Sequence, residues 1–271
     1  MNKIYSDFHN HVFGISNCAR EDATIENYLK ACKEQGITSI GFSDHLWDSD
    51  VRYQKENEWF HGNDMENIKK LKKLIPTDTQ GIKIYYGCEV DVDKDNIIGL
   101  SKENAKYFDY VLIATNHFHA KGFEIYDDVD LNDLQLLKKI TIEHFLTATK
   151  YDADVLKVIC HPFVIHGISE ENREKLLKMI TDDEYHYCFK QAAKNNIAIE
   201  IHAALLGGVN FEKNKFGFSK EYTRMIKIAN EEGCKFTIGS DSHWMSMFTH
   251  NRYGIFIDSI GIKEENIIQV L

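Results

Sequence analysis

The sequence predicts an α/β fold: a barrel of parallel strands with helical chain between them. Two patterns lead there. Short apolar runs rich in β-branched residues recur seven times, separated by segments of helical spacing. Histidine, aspartate and glutamate stand at the C-terminal ends of those runs. Strands that are apolar on both faces form parallel sheets. In a closed parallel barrel their C-terminal ends converge on one mouth. A doubly wound open sheet is the alternative, but it would string the same groups along a line.

The first strand is expected at Lys3-Ile4-Tyr5, leading into Asp7-Phe8-His9-Asn10-His11. Residues two apart on a strand share a face, so His9 and His11 lie side by side. Asp7 falls on that face as a supporting carboxylate. An irregular loop, Val12 to Asp22, follows. Thr24 opens a helix with Ile25, Tyr28, Leu29 and Cys32 on one face, and Gly36 closes it. Thr38 to Ser43 forms the second strand, ending in Asp44-His45. After a polar, aromatic insertion (Leu46 to Gly62), Asn63 caps a helix that runs through Ile75 and stops at Pro76. Lys83 to Val90 is the third strand and carries Glu89. A short helix from Ser101 to Tyr107 precedes the fourth strand, Tyr110 to Thr115, which ends in Asn116-His117-Phe118-His119.

An insertion to about Asp130 and a helix from Leu131 to Lys150 lead to the fifth strand, Val155 to Cys160, which ends in His161-Pro162. Polar loop and helix come next, with a firmer helix from Glu184 to Asn195. The sixth strand, Ile197 to Ile201, carries Glu200 and is followed by His202. A helix from Lys220 to Glu232 ends at Gly233. Phe236 to Ser240 is the seventh strand, ending in Asp241-Ser242-His243. A last helix is expected from Glu264 to Val270.

No Pro/Gly/Ser-rich linker, low-complexity tract or internal repeat divides the 271 residues, so one domain spanning 1–271 is expected. Hydrophobic content of 43% suits an ordinary soluble core. A formal charge of −10 argues against coating nucleic acid, though not against a phosphorylated substrate, since bound cations reverse a local field. Six cysteines contain no CxxC pair, which argues against a zinc ribbon or redox motif. Neither a secretory signal nor a membrane span is expected. A reducing cytoplasm with free thiols fits, with Cys18 and Cys160 read as packing residues.

Six of the seven strand ends carry candidate metal ligands: His9 and His11, His45, Glu89, His117, His161, and Asp241 with His243. The sixth strand is the exception. Singly, each has a plain structural explanation: His45 a satisfied core histidine, Asp241 a turn cap. Together, imidazoles and carboxylates at one mouth suit Zn²⁺, Mn²⁺ or Fe. Buried without a cation they would carry large desolvation and repulsion costs.

DFHNH, SDH (Asp44, His45), GCEVD (Glu89), TNHF (His117), CHP (His161) and GSDSH (Asp241, His243) stand in the order of the motifs of the polymerase-and-histidinol-phosphatase (PHP) family, which the chain resembles from residue 5 to about 245. The resemblance implies a distorted (β/α)₇ barrel and up to three metals at its mouth. By motif, His9, His11, Glu89 and Asp241 would hold the first metal. Glu89 would bridge to a second, completed by His117 and His161, and His45 and His243 would hold a third. Many members complete the third site with His or Asp from the loop after HxH. Asn17 is the matching position here, with Glu21 and Asp22 nearby.

Two departures stand out. His202 follows the sixth strand where many members have Asn, and it is an added ligand, a substrate contact or a hydrogen-bonded support. The Arg that histidinol phosphatases commonly offer after it is replaced by Ala203 to Gly208. Arg20, Arg173 and Arg252 are candidate phosphate partners, each with a surface role as the alternative. His119, His166 and His61 are expected near the mouth, where the insertion from Trp47 to His61 would cover it. His144 and His186 fall within helices and read as structural.

The resemblance implies a metal-dependent phosphoesterase cleaving a monoester of a small phosphorylated metabolite, histidinol phosphate being one candidate. Two or three divalent ions (Zn, Mn or Fe) would activate water. Glu89, Asp241, His243 and His202 are the candidate catalytic residues, with His202 or His243 protonating the leaving group. Asn17, Arg20, His119 and His202 are the candidate substrate contacts. The alternatives are an amidohydrolase-like hydrolase of C–N bonds, although no Lys ends the fourth strand, and a non-catalytic metal-binding regulatory module.

Overall fold

Seven strands lie in one parallel sheet in sequence order, β1-β2-β3-β4-β5-β6-β7. The computed structural model describes residues 3–52, 62–206 and 211–271. The strands are β1 (Ser6–Asp7), β2 (Ser39–Phe42), β3 (Lys83–Asp91), β4 (Tyr110–Ala114), β5 (Leu156–Ile159), β6 (Ile197–His202) and β7 (Phe236–Gly239). The last returns to the first. Phe8 N–H donates to the Ile238 carbonyl at 2.9 Å, His11 N–H donates to the Ser242 carbonyl at 3.0 Å, and Asn10 bridges Ser242 in parallel. A nearly closed barrel results, and the open-sheet alternative is set aside.

Helices wrap the outside: α1 (Ile25–Gln35), α2 (Met65–Ile68), α3 (Leu71–Leu74), α4 (Lys102–Ala105), α5 (Leu134–Ala148), α6 (Glu170–Met179), α7 (Asp182–Lys194), α8 (Lys220–Glu231) and α9 (Tyr253–Ile260). Their starts follow from local chemistry. Thr24, Ser101, Ser169 and Ser219 each accept from a backbone N–H three residues on. Thr181 and Glu184 form a reciprocal capping box before α7. Gly36 ends α1 at φ 74°, a conformation open to glycine without cost.

The expected boundaries need five corrections. The first strand is Ser6–Asp7 rather than Lys3 to Tyr5, because Tyr5 N–H is taken by the Gln269 side chain at 2.8 Å. The helix expected from Asn63 to Ile75 is two short pieces, and Asp64 rather than Asn63 caps the first. Asn63 is buried, with its carbonyl accepting from Trp47 N–H. The helix expected from Leu131 begins at Leu134, capped by Asp133. Helix α9 was not anticipated. Its run Tyr-Gly-Ile-Phe-Ile has poor helical propensity, but Tyr253, Phe256 and Ile257 are buried at i, i+3, i+4 spacing, and that burial wins. The last helix expected, Glu264 to Val270, is only a 3₁₀ turn, Glu264–Asn266. Ile267 then bridges Phe236, and Ile268 N–H donates to the Phe236 carbonyl at 2.7 Å, extending the β-structure beside β7.

Apolar side chains fill both the barrel interior and the helix–strand layer. Inside, Phe8, Tyr85, Tyr110, Leu112, Val158 and Ala198 form one buried cluster. Tyr110 crosses the barrel, donates from its hydroxyl to the Phe8 carbonyl at 2.6 Å, and lies flat over Gly41 and Gly87. A Cβ at Gly87 would collide with that ring. Gly87→Ala is therefore expected to lower unfolding stability by about 1–3 kcal/mol through overpacking. Urea denaturation measures it, and an unchanged midpoint would show that Tyr110 does not pack there.

Candidate metal centre

The strand-end residues meet at one mouth. Glu89, near the end of β3, is fully buried, and its two carboxylate oxygens face different groups. Oε2 lies 3.0 Å from His45 Nδ1, 3.4 Å from His9 Nε2 and 3.5 Å from His11 Nε2. Oε1 lies 2.9 Å from His161 Nε2 and 3.7 Å from His117 Nε2. Asp241, just past β7, places Oδ1 3.4 Å from His9 Nε2 and 3.2 Å from His11 Nε2. His243 lies beside it, its ring stacked on His11 at 4.1 Å. Thus His9, His11, His45, Glu89, His117, His161, Asp241 and His243 are gathered at one place.

Hydrogen bonds fix how the rings are turned. His9 Nδ1 is 2.8 Å from Glu200 Oε1, and His117 Nδ1 is 2.7 Å from Asp91 Oδ1. His161 Nδ1 is 2.8 Å from Asn116 Oδ1. The Asn116 amide group donates to the carbonyls of His161 and Val164, so its oxygen is the acceptor. His11 Nδ1 is 3.1 Å from Ser16 Oγ, whose hydroxyl donates to Asp44 at 2.7 Å. His243 Nδ1 is 2.9 Å from the Asp241 carbonyl. In each case an outward Nδ1–H meets an acceptor, which leaves the Nε2 lone pair available.

His202 is turned the other way. Ala204 N–H donates to its Nδ1 at 3.1 Å, so in the neutral ring the proton sits on Nε2. That Nε2 is buried without a hydrogen-bond partner, 3.5 Å from Asp241 Oδ2.

The arrangement fits a cation. His9 Nε2 and Glu89 Oε2 are buried and lack hydrogen-bond partners, though both groups could take one. Donor atoms ~2.1 Å from a tetrahedral ion stand ~3.4 Å apart. The contacts of His9 and His11 with Glu89 and Asp241, 3.2 to 3.5 Å, match that spacing. Burial opposes the charge on Glu89, yet His45 and His9 hold its carboxyl well below the usual range. Burial likewise opposes ionisation of Asp241, and His9 and His11 outweigh it. Among the described residues, every ion-pair partner of these two carboxylates is a histidine.

Several contributors were not read from the sequence. Glu200 sits on the strand taken as the exception, where it orients His9 and accepts from His161 N–H at 2.7 Å. Gly239 makes room for it, since a Cβ there would collide with the Glu200 carboxylate. The signal was an acid at an alternating position within Ile199-Glu200-Ile201. Asp7, expected to support the imidazoles, instead accepts from the backbone N–H of His9 and Ser240 and pairs with the buried His250 at 2.7 Å. Cys18 was read as packing, yet it lies with His11, His45 and His243, one donor atom from each within 4.8 Å of the others. Burial raises its thiol, but His45 and His243 outweigh this and draw it down to about 6. Cys160 remains a buried neighbour whose Sγ–H points to Glu89 at 3.5 Å. Behind His117, the buried Glu124 stands 3.5 Å from its Nδ1.

The candidate substrate contacts are spread round the rim. Asn17 and Arg20 are exposed, and Arg20 stacks on Trp244 at 3.9 Å. His119 is partly exposed beside His117, where partial desolvation of its ring and the His117 charge lower it to about 4. His166 packs against both His117 and His161 at 5.1 Å. Arg173 donates to the Ile165 carbonyl and lines a 190 Å³ cavity with Ala203, Ala204 and Tyr222. Arg252 is engaged elsewhere, donating to the Phe216 carbonyl. Trp47 is buried against Phe123, joining the loops after β2 and β4. His61 lies outside the described residues. His144 is buried in α5, and His186 pairs with Glu232. A larger cavity of 800 Å³ beside α8 contains none of the strand-end residues. No helix among the described residues is long and apolar enough to cross a membrane.

Comparison with curated protein sequences returns no match. Among the solved structures that match, two share the fold over nearly the whole chain. A histidinol phosphate phosphatase from Lactococcus lactis, complexed with zinc, L-histidinol and phosphate, is 16% identical, with a TM-score of 0.60 over 96% of this chain and 94% of its own. A putative histidinol phosphatase from Listeria monocytogenes is 14% identical, with a TM-score of 0.64 over 92% of this chain and 99% of its own. The model of the PHP domain family matches residues 7–204, which hold five of the six ligand-bearing strand ends, and the chain belongs to the PHP domain family.

Proposed function

We propose that the protein is a metal-dependent phosphoesterase that hydrolyses a phosphate monoester of a small metabolite. The carrying observation is the division of Glu89, with Oε2 toward His9, His11 and His45 and Oε1 toward His117 and His161. A carboxylate so placed suits a bridge between two cations. Zn, Mn or Fe ions held there would polarise the phosphoryl group and lower the pKa of water at neutral pH.

The chain's own residues prepare the rest. Glu200, Asp91, Asn116 and Ser16 hold the Nδ1 protons of His9, His117, His161 and His11, keeping the inward lone pairs aligned. His202 suits the opposite task. With its Nδ1 held by Ala204 N–H, the neutral ring presents an Nε2 proton toward the mouth and can donate a hydrogen bond to a phosphoryl or leaving oxygen. His243 has the ligand-type tautomer, so the hydrogen-bond donor role falls to His202. The single domain and cytoplasmic location expected above belong to the same reading.

The zinc, L-histidinol and phosphate complexed with the Lactococcus lactis protein support a phosphorylated metabolite as the substrate class. Here Ala203 and Ala204 follow β6, and Arg173, which lines a cavity with them, is a candidate replacement for a phosphate-gripping arginine. Histidinol phosphate is thus a candidate without privilege over other monoesters.

Chelator-treated protein should lose p-nitrophenyl phosphate hydrolysis and regain it with added Mn²⁺, Fe²⁺ or Zn²⁺, with two or more ions per chain by metal analysis. Glu89→Gln should lower kcat about a hundredfold or more with near-normal circular dichroism. Full activity would make Glu89 structural. Glu200→Gln should weaken metal retention about 10–100-fold through His9, and equilibrium dialysis reads this directly. In a substrate panel under one metal condition, kcat/KM for histidinol phosphate should lie within the range of other phosphomonoesters. A preference of several orders of magnitude would overturn that expectation.

A further inference from the structure

We infer that Cys18 is a thiolate ligand, holding one cation at the mouth together with His45 and His243. This rests on the metal-centre reading above and specifies the softest of its sites. Cys18 is half-buried in the loop after β1, and its sulfur and one nitrogen each of His45 and His243 lie within 4.8 Å of one another. The neighbouring Asn17, the position expected to serve, is exposed instead.

The donors divide cleanly. His11 presents Nε2 to Asp241 and Glu89, and its Nδ1 is held by Ser16, so it is committed to the first group. His243 has its Nδ1 against the Asp241 carbonyl and its Nε2 lone pair available. His45 is fixed between Glu89 and Cys18. The Glu89 carboxylate borders this group as well as the first. Glu89 Oε2, fully buried and without a hydrogen-bond partner, stands 3.0 Å from His45 Nδ1.

One sulfur and two imidazole nitrogens leave a fourth tetrahedral position open, which is the pattern of a catalytic rather than a structural site. Sulfur also sets the preference. Thiolate favours Zn²⁺, Co²⁺ or Fe²⁺ over Mn²⁺ or Mg²⁺, which take oxygen. On binding, the thiol proton passes to solvent and no electron is transferred.

Full-length protein stripped by chelator and reloaded with Co²⁺ tests the assignment by absorbance. The wild type should show a sulfur-to-cobalt charge-transfer band in the near ultraviolet together with visible ligand-field bands. Cys18→Ser and Cys18→Ala should lose the former and about one ion per chain, while the visible bands report an intact fold and remaining centre. Cys160→Ala should keep the charge-transfer band. Visible bands without a charge-transfer band in the wild type, or a band that survives in both Cys18 variants, overturns the role of Cys18. Protein that takes up no Co²⁺, Zn²⁺ or Mn²⁺ overturns the metal-centre reading itself.

Discussion

The mouth of this barrel depends on the burial of one carboxylate. Glu89 lies on β3, hydrogen-bonded on both sides by β2 and β4, and has no exposure to solvent. An isolated charge there would be very costly. It is tolerated because imidazoles surround it, with His45 at 3.0 Å and His161 at 2.9 Å. The surrounding rings impose a condition in turn. His45 turns Nδ1 to the carboxylate, and the others can turn Nε2 inward only if something accepts the Nδ1 proton. Glu200, Asp91, Asn116 and Ser16 are those acceptors, drawn from β6, β3 and two loops. Much of the polar architecture at this end is thereby fixed.

The cost appears in the backbone. His161 and Asp241 hold φ of 29° and 53°, a region that L-residues rarely occupy. Such conformations cost ~1–3 kcal/mol each and persist where surroundings over-determine them. Asn116 supplies part of that determination by bonding the His161 carbonyl. The closed floor below supplies rigidity, since Tyr110 spans the interior and the Gln269 side chain ties Tyr5 and Lys3 to the other end of the chain.

The sequence made the barrel and its donor residues legible for a simple reason. Strand period and strand ends are local properties, and His, Asp and Glu stand out against apolar runs. What depends on distant partners was hidden. Glu200 looked like an interruption in strand six until Gly239 on the next strand left space for it. Asp7 has the right parity for the imidazoles, but the αL turn at Asp241 and the packing of His250 give its carboxylate other partners. Cys18 carries no motif, and only the fold of the loop brings it to His45 and His243. Helix α9 contradicts its own propensities because burial of Tyr253 and Phe256 overrides them.

The seam between β1 and β7 has a thermodynamic consequence. His9 and His11 lie on one side of it and Asp241 on the other, joined by few backbone hydrogen bonds. A cation shared across it would bind the closed barrel and not a barrel opened at that edge. Linkage would then stabilise closure by RT ln(1 + [L]/Kd), and metal availability would set how often the first strand detaches. Hydrogen exchange at the backbone amides of Phe8 and His11 should accordingly depend on metal concentration, while exchange at the β3–β4 ladder opposite should not.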